Sequence, residues 1–429
     1  MFHYDTAGRK LIPIEFPAKV SFVEAGRQAP RCLLYEPLAR SEKSRIGVVM
    51  IHSDQDYSTF PIAWELAGRG YHTLAGQVSS PEASLDQKML DIKHAIELLK
   101  AINGVDKVVL MGHSGGATLM SAYQGAAEQG ILTWQNREFL YPYTRNEELI
   151  PADGVMLLDS NFGNGAMTLL SVDPAVRTEG NGIELDPALD IFNPKNGFDP
   201  QHPTYSDTFL QAFFAAQRER NNAIVHHALD RLTLLRQGKG NYVDDEPFLV
   251  TGASQMMMAN KLIPQDVRLL AHTKKAYPLL HRDGSITNEI IHSLRRPRGG
   301  RPVTPEFRTS VMTTVRSYLS NRAVLARTDY QIGADGITGI LWNKTYNCTP
   351  ENVKWFSAPL LIMGMTGSYE YLAAEIIGEN AASTDKIVLF VEGAGHNFDA
   401  AGRESEFGDT QALVYDTCDR WLSYSGRFL

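Results

Sequence analysis

Residues 107–120 read KVVLMGHSGGATLM, and Ser114 stands in them between Gly112 and Gly116 as G-x-S-x-G. A serine hydroxyl is a weak nucleophile, so it does chemistry only with a base in reach, a group that orients the base, and donors for the developing oxyanion. The pentapeptide alone is weak evidence, since roughly one chain in five of this length would carry it by chance. Its setting is more specific. A short apolar run precedes it and a helix-forming stretch follows, so the glycines leave room for a tight strand-to-helix turn with Ser114 at its tip.

The surrounding sequence predicts the elements that would hold such a turn. GVVMI (47–51), YHTLAGQV (71–78), KVVLM (107–111) and GVMLLD (154–159) read as strands, the first and last as continuous apolar runs buried on both faces. Between the second and third, Leu85, Met89, Ile92, Ile96 and Leu99 recur at helical spacing behind a Ser84/Gln87 capping box, with Gly104 as a stop. This βαβα alternation predicts an α/β fold, a mostly parallel central sheet flanked by helices. The pattern then breaks. Residues 161–350 show Pro/Gly-rich polar stretches and helix-like segments such as DTFLQAFFAAQRERNNAIVHHALDRLTLL, and no comparable series of buried strands. Strand and helix signals resume with APLLIMG (358–364), YLAAEIIGENAA, KIVLFVEG (386–393) and a last helix around TQALVYDTCDRWLSY. The expected organisation is a core formed by residues 1–160 and 351–429, interrupted by a large, mainly helical cap insertion at 161–350.

The ordered set VVMIHSDQD, LAGRGYHTLAG, VVLMGHSGGA, GVMLLD, PLLIMG and VEGAGHNF resembles the α/β-hydrolase fold family over residues of roughly 45–160 and 355–429. The resemblance implies a nucleophile elbow at Ser114 and a catalytic histidine late in the chain, after the acid. His396, in GAGH after a predicted strand, is the one histidine beyond residue 292. The customary slot for the acid, after PLLIMG, holds no carboxylate until Glu370. Asp159, at the end of GVMLLD, occupies the position that a minority of relatives use, so the expected triad is Ser114, His396 and Asp159, with Glu370 as the alternative acid and Glu375 behind it. Backbone N–H groups at Gly115 and at Ser53 or Asp54 would form the oxyanion hole, with the Asp54 carboxylate turned away. His52 and His113 are expected to be structural. The implied activity is hydrolysis of a carboxylic ester, lactone or related acyl bond of a small to medium, partly hydrophobic substrate. Amide or thioester hydrolysis, acyl transfer and carbon–carbon cleavage use the same machinery, and a non-catalytic binding member of the fold is the reading from another class. The insertion would cap the carboxyl end of the sheet.

Composition bounds the rest. With 429 residues, 43% hydrophobic and 21% charged, the chain can bury a sizeable core, and a net charge of −8 gives no general reason to expect a nucleic-acid partner. No apolar run approaches 18 residues, and the N-terminus lacks a basic head with an apolar run behind it, so neither a membrane span nor a secretory signal is expected. Three widely spaced cysteines form no disulfide or metal framework and point to the cytoplasm. His226-His227 diverge by about 100° on a helix and share no metal face. The SLRRPRGGRP segment (293–302) reads as a solvated loop ahead of an anionic-substrate or partner patch, and Met256-Met257-Met258 as core packing ahead of the lining of an apolar pocket. No cofactor is implied, and the expected partner is a small-molecule substrate.

Overall fold

The computed structural model describes residues 2–4, 11–13, 17–24, 31–255, 261–297 and 310–429. The Met256–Met258 run and the second half of the 293–302 cluster lie outside them. Ten strands form one sheet: β1 (Ala18–Glu24), β2 (Arg31–Pro37), β3 (Ile46–His52), β4 (His72–Gln77), β5 (Lys107–Ser114), β6 (Gly154–Ser160), β7 (His272–Leu280), β8 (Ile286–His292), β9 (Leu360–Met365) and β10 (Lys386–Val391). Their spatial order is β1-β2-β4-β3-β5-β6-β9-β10-β7-β8. Every pairing from β4 through β10 to β7 is parallel, while β1, β2 and β8 pair antiparallel at the two margins.

The sequence explains which strands are central. All residues of β3, β6 and β9 are buried, as expected where helices cover both faces of a parallel sheet. Helices α1 (Pro61–Gly68), α2 (Leu85–Lys100), α3 (Gly115–Gln129) and the C-terminal helix Thr410–Leu422 pack against these strands. Leu85, Met89, Ile92, Ile96 and Leu99 are the buried stripe of α2. Its start differs from the expected capping box. Ser84 holds the N-cap position without a side-chain bond. The Leu85 N–H donates instead to Ser320 Oγ at 2.7 Å, and Gln87 accepts from Arg145 at 2.7 Å. The Gln87 N–H, which a capping box would place on Ser84 Oγ, donates to Asp86 Oδ1 at 3.1 Å, and a distant arginine has drawn off the glutamine side chain.

The 161–350 stretch is less helical than its sequence suggests. It holds the 30-residue helix Asp207–Arg236, but also the β7–β8 hairpin, which extends the central sheet beyond β10. The hairpin escapes a search for apolar runs because only one of its faces is covered. Lys274 and Lys275 of β7 are exposed, and Ile291 is the one buried residue of β8. The signal that was present is Asp283-Gly284, with Gly284 at φ +83° in the hairpin turn. Further two-stranded pairs among the described residues of this stretch are Val176–Thr178 with Asn181–Leu185, Pro247–Val250 with Val311–Thr314, and Ala326–Ile332 with Ile337–Ile340. Cys32, Cys348 and Cys418 are buried free thiols. No helix among the described residues is long and apolar enough to cross a membrane.

Candidate active site

β5 passes directly into α3 through Ser114, whose backbone is at φ 54°, ψ −128°. A positive φ on a non-glycine residue costs about 1–3 kcal/mol and persists only where the surroundings impose it. Here the surroundings are glycine contacts. A Cβ on Gly112 would lie 2.4 Å from Ala117 Cα and 2.8 Å from Ala117 N, so strand and helix meet at a distance that only glycine allows. The turn presents Ser114 to a cavity of about 460 Å³ at the carboxyl ends of β3, β5 and β6. A strained serine between a parallel strand and a helix, in a sheet of this strand order, decides the architecture. The fold is that of the α/β-hydrolases.

The base candidate, His396, lies in the loop after β10 and lines the same cavity as Ser114. Its Nδ1 is 2.6 Å from Asp159 Oδ2. A carboxylate accepts, so in the neutral ring the proton sits on Nδ1 and Nε2 is left as the acceptor. Asp159 itself is fully buried, at φ 39° where β6 ends, and its Oδ1 accepts the Met365 N–H at 3.1 Å. The strands β6 and β9 are neighbours, so one carboxylate bridges the end of β9 to the imidazole.

Glu370 converges on the same nitrogen, with Oε2 3.7 Å from His396 Nδ1. It is buried, and that oxygen has no hydrogen-bond partner. Burial alone would lower the His396 pKa; the charges of Glu370 and Asp159, with the Asp159 hydrogen bond, outweigh it and push the value up to about 9. Lys261 acts in the opposite direction. Its Nζ, buried nearby, donates to Gln255 O and Tyr369 Oη at 2.8 and 3.1 Å. Glu375 is not part of this cluster: its carboxylate accepts the Lys274 N–H of β7 at 3.0 and 3.1 Å. Carboxylate oxygens of Asp159 and Glu370 and a ring nitrogen of His396 lie within 4.8 Å of one another.

The other two histidines near the turn have partners of their own. His113 Nε2 donates to the His396 carbonyl at 2.7 Å, and Nδ1 takes the Tyr57 hydroxyl at 2.7 Å. Burial holds its pKa well below the ordinary histidine value, so it is a neutral strut under the His396 loop. His52 Nδ1 accepts the amides of Asp54 and Gln55 at 3.2 and 3.1 Å. The Asp54 N–H is thus turned onto His52, away from the oxyanion role considered for it. Of the amides considered, those of Ser53 and Gly115 remain. The Asp54 carboxylate lies beside His52 and 3.5 Å from Arg322.

Sequence reasoning missed the polar wall beside the elbow. Asn161, Asn164 and Gln255 line the cavity, and Asn164 Nδ2 donates to Ser53 Oγ at 3.1 Å. Gln255 Nε2 is anchored on Asn164 O and Thr168 Oγ1 at 3.0 and 2.9 Å. The available clue was the run SNFGNG directly after β6, where a strand end at the sheet's carboxyl edge supplies site residues.

No family model matches the chain, and neither does any curated protein. Among solved structures it is similar to Est1E from Butyrivibrio proteoclasticus, at 10% identity over 94% of this chain and 98% of that one, with a TM-score of 0.37. A soluble variant of monoglyceride lipase from Saccharomyces cerevisiae, in complex with a substrate analog, gives 9% identity over 95% and 96%, with a TM-score of 0.44. The monoacylglycerol lipase of Paleococcus ferrophilus gives 12% identity over 92% and 98%, with a TM-score of 0.38. Scores this low carry no functional weight; the fold rests on strand order and the turn at Ser114.

Proposed function

We propose that the chain is a serine hydrolase that cleaves a carboxylic ester or related acyl bond through an acyl-enzyme on Ser114. The observation that carries this reading is the His396 ring: Nδ1 is fixed by the buried Asp159 carboxylate at 2.6 Å, and the ring lines one cavity with a serine on a strained turn. Ser114 Oγ attacks the carbonyl carbon while His396 Nε2 takes its proton. Asp159 holds the tautomer and stabilises the imidazolium without itself being protonated. The backbone N–H groups of Gly115 and Ser53 receive the oxyanion. On collapse of the tetrahedral intermediate, His396 returns the proton to the leaving oxygen. A water deprotonated by the same nitrogen then attacks the acyl carbon and releases the acid.

A cavity of about 460 Å³ suits a small to medium substrate. Its amide-rich described wall supports a substrate with polar groups beside the acyl carbon more than a purely aliphatic one. The test is labelling with a fluorophosphonate probe, alongside turnover of a short-chain aryl ester. Wild type is expected to react with both, and Ser114→Ala to lose both. Labelling that survives the substitution refutes the assignment.

A further inference from the structure

The pairing of Asp159 with His396 leaves a second buried carboxylate unexplained. Glu370 sits in the loop after β9, 3.7 Å from the nitrogen that Asp159 already holds, with Oε2 unpartnered. A buried, unbonded carboxylate oxygen costs several kcal/mol unless a charge compensates it. The Glu370 backbone N–H is fixed on Ser368 Oγ at 3.2 Å, which anchors the residue in its loop without satisfying its carboxylate. A positive group within reach of that oxygen is the protonated form of His396, whose Nδ1 is 3.7 Å away.

We propose that Glu370 is a positioning residue for His396, a second carboxylate that stabilises the imidazolium together with Asp159 and sets the pH range in which the ring can act as a base. The proposal rests on the serine-hydrolase reading for its catalytic consequence, and on geometry for its electrostatic one. The charged and titratable groups facing the ring come from every element around it. Asp159 from β6 and Glu370 from the post-β9 loop favour the cation, whereas Lys261 from the insertion opposes it. His113 from β5 lies tilted against the ring at 4.6 Å between centroids and is neutral. Asp54 and Asp399 line the same cavity.

The sign follows directly. A base works only when deprotonated, so a ring whose pKa is pushed up to about 9 gives a kcat/KM that rises with pH until about that value. Removing one of two flanking carboxylates weakens the cation, and the acid limb should move to lower pH by about 1–2 units. The rate in the pH-independent region should fall at the same time, because the imidazolium formed in the transition state has lost a counter-charge.

The experiment compares wild type with Glu370→Gln in two readouts. One is the pH profile of kcat/KM on the aryl ester. The other is the titration of the His396 imidazole by NMR in protein labelled at the histidine rings, with His396→Asn identifying the resonance. Both midpoints are expected to drop in the variant. A lower rate with an unmoved limb, or a His396 titration that does not shift, overturns the proposal and reduces Glu370 to a packing role. The NMR readout needs no turnover. If Ser114→Ala kept its probe labelling, the hydrolase reading would fail while the Glu370 claim was still decided. The wild-type titration alone also decides: a His396 midpoint near the ordinary 6.5 refutes the claim without any variant.

Discussion

Gly112 and Gly116 are interchangeable in the G-x-S-x-G pattern and are not interchangeable in the molecule. Alanine at 112 would put a Cβ 2.4 Å from Ala117 Cα, 2.8 Å from Ala117 N and 3.1 Å from Gly116 C, all backbone of α3. Ordinary carbon contacts begin near 3.5 Å, so α3 would have to retreat by about 1 Å. It has nowhere to go, since its residues from Gly115 to Ala126 are buried. Overpacking costs about 1–3 kcal/mol where side chains can adjust, and a clash with backbone belongs at or above the top of that range. Alanine at 116 meets Ile51 O at 3.3 Å and His52 Cα at 3.4 Å, which requires a shift of only tenths of an ångström. Its strain is opposed by the gain of about 1 kcal/mol that alanine has over glycine inside a helix. Gly112→Ala should therefore lose about 3 kcal/mol or more by urea denaturation, and Gly116→Ala should stay within about 1 kcal/mol of wild type. Probe labelling at Ser114 should follow the same ranking, because retreat of α3 relaxes the φ that aims the hydroxyl. Equal midpoints for the two variants, or the reverse order, would refute the claim that the strand-to-helix approach maintains the turn.

Two further outcomes follow from the site. Asp159→Asn removes the acceptor that fixes the His396 tautomer and should lower kcat roughly 100- to 10,000-fold, with Glu370 at 3.7 Å keeping the loss from reaching the upper figure; turnover within threefold of wild type would show that the 2.6 Å bond is dispensable. Tyr57→Phe strips the donor from His113 Nδ1 and leaves a buried acceptor unpaired, at a cost of about 1–3 kcal/mol. An unchanged urea midpoint would mean that the strut beneath the His396 loop contributes nothing.

The extent to which this site is legible in the sequence depends on how local each feature is. The buried strands at 46–52 and 154–160 are legible because an apolar run covered on both faces carries its signal in consecutive residues. The turn at Ser114 is legible for a similar reason: glycine is needed where strand and helix approach, and residues 112–117 span that approach. The β7–β8 hairpin was not, because a strand covered on one face carries charge on the other, and its two lysines mask the pattern. The Ser84 cap failed in a different way. The Gln87 N–H turns to Asp86 Oδ1, and the Leu85 N–H goes to Ser320, 235 residues away.

What the sequence determined by itself is the chemistry on offer: a serine on a glycine-bounded turn, one late histidine, and two carboxylates that each stand where an acid could serve. What only the tertiary structure decided is how those carboxylates share the ring. Asp159 reaches Nδ1 at 2.6 Å and Glu370 approaches the same atom at 3.7 Å, because β6 and β9 are neighbours in the sheet and both open onto the loop that carries His396. The difference between a hydrogen bond and an unpartnered charge is about one ångström. The shorter contact joins residues 237 apart, and the longer one depends on how the loops after β9 and β10 pack, so no spacing within one segment encodes either distance.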